Sequence, residues 1–91
     1  QGPRVDAGWP VMAASGVLAR LSGAGVRRGS ETESTCTVDF GDGSPPRTLQ
    51  PCGDSQVGAL AHRYWLPGRY TVTLSMTSGA SQSSTTVDVT P

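Results

Sequence analysis

Val38-Asp39-Phe40-Gly41-Asp42-Gly43-Ser44 alternates apolar with polar residues and then runs into a Gly-Asp-Gly turn. Further along, His62-Arg63-Tyr64-Trp65-Leu66-Pro67-Gly68-Arg69-Tyr70-Thr71-Val72 leaves one alternating segment through Pro67-Gly68 and enters another. Period-two alternation bounded by Gly, Pro and Asp is the signature of short strands joined by tight turns. Gly41 and Gly43 permit positive φ, and the Asp42 carboxylate between them can accept local backbone N–H groups, so the chain must turn there.

The same reading extends outward. Thr35 to Phe40 places Cys36, Val38 and Phe40 on one face. Arg69 to Thr77 places Tyr70, Val72, Leu74 and Met76 opposite Thr71, Thr73, Ser75 and Thr77. Ser84 to Val89 places Thr85, Val87 and Val89 on one side and Thr86 and Asp88 on the other, after a Ser78-Gly79-Ala80 turn that predicts a hairpin. Leu60, His62 and Tyr64 form another alternating run. Val17, Ala19 and Leu21 share a face, and Val11 to Ala14 reads as a short edge strand. Residues 1–8 read as a linker, Ser22 to Ser34 as a long loop, and Arg47 to Gly58 as loop without a helical period. About seven short strands in 91 residues imply an all-β antiparallel sandwich of two sheets, occupying residues 9–91.

Composition narrows the function. Seven Arg balance seven acidic residues and no Lys is present, so no basic face for nucleic acid or anionic membrane is expected. Arg27-Arg28 lies between Gly residues and near Glu31 and Glu33, as a solvated loop would. No apolar run approaches the ~18 residues of a membrane span, and Gln1-Gly2-Pro3-Arg4 opens no signal-peptide pattern. Without Asn there is no N-glycosylation sequon. His62 is the one histidine and no nucleophile sits in a strand-to-helix elbow, so an enzyme is not expected and no cofactor is implied.

The motifs resemble those of the PKD domain, the immunoglobulin-like module repeated in polycystin-type receptors. That family runs Trp-Asp-Phe-Gly-Asp-Gly, then His-x-Tyr, Pro-Gly-x-Tyr and a Thr-Val-Thr-Leu-like strand. The counterparts are Val38-Asp39-Phe40-Gly41-Asp42-Gly43, His62-Arg63-Tyr64, Pro67-Gly68-Arg69-Tyr70 and Thr71-Val72-Thr73-Leu74, within residues about 10 to 90. Val38 stands where the family keeps Trp, and a Val contributes far less buried area than the ~150–250 Å² of an aromatic side chain. In immunoglobulin-like sandwiches a Tyr near the start of strand F hydrogen-bonds back to the preceding corner. Tyr70 is expected to do the same, the alternative being a surface contact.

The resemblance implies a non-catalytic module in the extracellular part of a plasma-membrane or ciliary-membrane receptor, monomeric in isolation. Its implied partners are neighbouring ectodomain modules and protein or carbohydrate ligands, in cell adhesion or as a tension-bearing spacer within a repeat. The alternative is an accessory substrate-holding module of a secreted hydrolase. In such a small extracellular module Cys36 and Cys52 are expected to pair, closing a loop of about fifteen residues worth roughly 3 kcal/mol in the chain-entropy model. Some PKD-like modules of bacterial collagenases bind calcium, which makes Asp39 and Asp42 weak candidates; turn bracing is the competing role, since calcium takes six to eight oxygens. Trp9 and Trp65 fall outside the alternating core pattern and either cap the sandwich ends or anchor a partner.

Overall fold

The hydroxyl- and valine-rich runs of β8 (Gly68–Met76) and β9 (Gln82–Thr90) pair antiparallel along their whole length, Gly68 opposite Val89 and Ser75 opposite Gln82. The computed structural model of the chain describes residues 4–27, 35–50, 52–77 and 81–91. The strands β1 (Arg4–Asp6), β2 (Val11–Ala14), β3 (Leu18–Arg20) and β4 (Gly25–Arg27) precede β5 (Cys36–Asp39) and β6 (Arg47–Leu49). A one-turn helix α1 (Asp54–Gly58) and β7 (Ala61–Arg63) lie between β6 and β8. A five-stranded sheet in the order β2-β9-β8-β5-β6 forms one layer. The ribbons β1–β4 and β3–β7, with an isolated Trp9–Ser22 bridge, form the other. The fold is the expected all-β immunoglobulin-like sandwich. Among the described residues one pairing departs from the antiparallel pattern: β2 runs parallel to β9, Val11 opposite Val87 and Ala14 opposite Thr90.

Register explains the core. Val11, Val87 and Tyr70 line up across three strands, as do Val38 with Leu74, and Leu49, Cys36 and Met76, and these rows share one buried core with Ala19 of β3 and with Leu21, Leu60 and Tyr64 beside the β3–β7 ribbon. Burying one Val or Leu side chain contributes ~1.5–3 kcal/mol, and this continuous row set is the main stabilising feature. Val38 is fully buried, and the largest fully buried side chain is Tyr64, from the opposite layer. The aromatic bulk is therefore supplied from across the core and not by the residue before Asp39.

Several sequence expectations shift. The stretch 1–8, expected as a linker, contributes β1: Val5 and Ala7 are buried, and their N–H groups donate to Ser81 Oγ (3.1 Å) and Ser83 Oγ (3.0 Å). Part of the Ser22–Ser34 loop is β4, paired with β1 in register Val5–Val26. Arg47 to Gly58 holds β6 and α1, where a loop was expected. Val17 does not face inward with Ala19 and Leu21, because its N–H closes a turn onto Ala14 O and the strand starts only at Leu18. The Arg28–Ser34 part of the loop and the Ser78-Gly79-Ala80 turn lie outside the described residues.

Candidate functional site

Gly41 fixes where the marker turn must bend. Its φ is +80°, and a Cβ there would run into the Thr71 carbonyl of β8. Only glycine suits both demands. Gly43 also has positive φ, at +86°. Between them the chain presents Asp42 towards β7 of the other layer. Asp42 Oδ1 accepts the Ser44 N–H (3.1 Å) and hydroxyl (2.6 Å), while Oδ2 meets His62 Nε2 at 2.8 Å. Asp39, on the outward face, accepts the Gly41 N–H at 2.9 Å.

The aromatic residues continue this clasp between the layers. Phe40 stacks on His62 with ring centroids 4.2 Å apart and planes within 4°. His62 meets Tyr64 edge-on at 4.8 Å, and Tyr64 stacks on Tyr70 at 4.6 Å. Tyr64 Oη donates to Phe40 O at 2.8 Å in the interior. Tyr70 Oη donates to Leu66 O at 2.7 Å, the corner bond expected from its place at the start of a long strand. Pro67-Gly68 forms the corner, and Gly68 begins β8. Of the motif residues, Phe40, Asp42, His62, Tyr64 and Tyr70 are thus gathered along one seam between the layers, Val38 lies in the core beside it, and Asp39, Gly41, Gly43, Pro67 and Gly68 form the exposed turns at its ends.

The electrostatics suit bracing. Burial pushes the Asp42 carboxyl up, but the hydrogen bonds from Ser44 and His62 and the charge of His62 outweigh it and bring the carboxyl down from 3.8 to about 2. Burial, aided by the nearby Asp42, Tyr70 and Asp39 charges, raises the Tyr64 phenol above its usual range. Ser44, Asp42 and His62 have the composition of a hydrolytic triad but not its wiring. The Ser44 hydroxyl donates to Asp42 and not to the imidazole, so His62 is not placed to take its proton.

Cys36 and Cys52 are disulfide-bonded, with Cα atoms 5.2 Å apart. The bond fastens β5 to the segment that opens α1, and Asp54 of that helix accepts the Val26 N–H of β4 at 3.0 Å. Among the described residues no group of three or more His, Cys, Asp or Glu is placed to hold a metal ion. Asp39 and Asp42 are separated by their roles, one serving the outer face of the turn and one the inter-layer clasp.

Trp9 and Trp65 are 73% and 69% exposed. Trp9 lies over Gly23, and Trp65 lies against Gly16 with the Arg63 guanidinium 5.4 Å from its ring. Sequence reasoning missed the apolar company of Trp65: Leu66 and, one strand away beside Arg63, Leu18 are also exposed. Trp65 and Leu66 follow directly on the His-x-Tyr motif, which was the only available signal.

The model of the PKD domain family matches residues 1–91. The chain belongs to the PKD domain family. No curated protein matches it. PKD domains are in general non-catalytic, extracellular β-sandwich modules that take part in protein interactions, and the clasp built on Phe40, Asp42, His62 and Tyr64 is a structural device of that kind. No helix among the described residues is long and apolar enough to cross a membrane.

Proposed function

We propose that this PKD domain is a non-catalytic, force-bearing interaction module of a large polycystin-like membrane receptor, on the extracellular side of a plasma or ciliary membrane. The parallel pairing of β2 with β9 carries the reading. Val5 of β1 bonds to Ser81 beside the start of β9, whereas Thr90 ends β9 and bonds to Ser15 through its carbonyl. Tension applied at Arg4 and Thr90 draws β2 back and β9 forward. The two strands are then loaded in shear, with their hydrogen bonds sharing the load. An elongated body of 42 × 22 × 17 Å suits a spacer between neighbouring modules. Single-molecule extension of the domain between marker modules tests this: a cooperative unfolding step at substantial force is expected, and extension at negligible force removes the reading.

The exposed indoles of Trp9 and Trp65 support a second reading, an accessory module that holds a polymeric substrate for a secreted hydrolase. Under it, Trp9→Ala and Trp65→Ala each release the domain from insoluble polysaccharide or collagen. Under the receptor reading the wild-type domain does not sediment with either polymer, and the same substitutions weaken association with neighbouring ectodomain modules.

A further inference from the structure

The disulfide is placed where solvent does not reach it. Cys36 is fully buried in β5 between Leu49 of β6 and Met76 of β8, and Cys52 is 4% exposed. In the five-stranded sheet β8 separates the strand that carries Cys36, β5, from the β2–β9 pair that takes the load. Once β2 and β9 slide and the layers part, the chain straightens, and the only covalent path from Cys36 to Cys52 that is taut is the disulfide itself. The residues between the cysteines stay slack.

We propose that the Cys36–Cys52 disulfide is a force-gated redox site, closed to thiols in the folded domain and open to an extracellular dithiol reductant after mechanical unfolding. The inference rests on the force-bearing reading. In the exchange, a thiolate of the reductant attacks one cystine sulfur. The Cys36–Cys52 bond breaks, a mixed disulfide forms, and the other cysteine leaves as a thiolate that takes up a proton. The reductant's second thiolate then attacks the reductant's own sulfur in the mixed disulfide and displaces the protein cysteine, which takes up a proton, leaving two protein thiols and a reductant oxidised to its disulfide, a transfer of two electrons. Reduction releases the slack loop and lengthens the spacer. The cysteines are 16 apart in sequence and their Cα atoms 5.2 Å apart; at ~3.5 Å per extended residue, the gain is about 50 Å.

Extension at constant force with and without dithiothreitol, together with alkylation of the unloaded domain, tests this. A single unfolding step without reductant, a second step of about 50 Å with it, and, for the unloaded domain incubated with dithiothreitol and then quenched by excess alkylating agent, slow appearance of alkylated thiols in native buffer but fast appearance in urea are expected. Absence of the second step overturns the proposal, as does reduction of the native domain at the rate seen in urea. Unfolding at negligible force with the second step intact removes the force-bearing reading and upholds the buried, unfolding-gated disulfide.

Discussion

The Tyr64 hydroxyl crosses from one layer of the sandwich to the other and donates to the Phe40 carbonyl at 2.8 Å, with Tyr64 only 1% exposed. Removing a donor from a buried carbonyl costs about 1–3 kcal/mol. Tyr64→Phe is therefore expected to lower the urea midpoint with an unchanged slope. Tyr70→Phe, whose partner Leu66 O lies at an exposed corner, is expected to cost about 1 kcal/mol or less. Equal losses in the two variants would show that the inter-layer bond has no special weight.

Acid should loosen the same seam. The Asp42 carboxyl sits at about 2 in the folded domain, below the ordinary 3.8, so the unfolded chain binds the proton first. Its contribution is fully present above about pH 4 and is lost as pH falls towards 2. Thermal midpoints measured between these limits should fall in the wild type. Asp42→Asn should start lower at neutral pH and show a shallower acid limb. An identical acid limb in both proteins would assign acid sensitivity elsewhere.

Reduction of the Cys36–Cys52 bond is expected to cost roughly 3 kcal/mol, the value for a loop of this length. For a domain of this size that is a fall in melting temperature on the order of 10–20 °C. Calorimetry after reduction under denaturing conditions, refolding and alkylation reads it. An unmoved midpoint would mean that the bond constrains the unfolded chain very little.

Millimolar calcium is expected to leave the melting temperature unchanged. Asp42 already receives three donor contacts, and Asp39 caps the Gly41 N–H. A calcium-dependent rise that disappears in Asp39→Asn would restore the candidate metal site.

The parts of the fold legible in the sequence are those where burial on one face imposes a period of two over several residues. The Cys36–Phe40 and Arg69–Met76 runs declare their inward faces that way, and the marker glycines declare the turn. The β1 and β4 strands are three residues each, and their stability comes from pairing with each other across the chain and from the hydroxyls of Ser81 and Ser83. No local pattern encodes such a partnership. The α1 helix buries only Val57 and is held by the neighbouring disulfide and by Asp54, so it has no room to show a helical period. Within the site, the resemblance placed Asp42 and His62 in one motif set. That they touch follows from the packing of β7 over the turn after β5, which spacing alone does not convey.

The direction of loading tests the account most directly. Pulled between residues 4 and 90, the domain loads β2 and β9 in shear; pulled between Gly68 and Thr90, the adjacent ends of the β8–β9 hairpin, it loads the ladder one bond at a time. The account predicts a clearly higher unfolding force in the first geometry, reduced by a proline at any position of Val11–Ala14 whose N–H enters the β9 ladder. Equal forces in the two geometries, or a first-geometry force that the proline leaves intact, would contradict it.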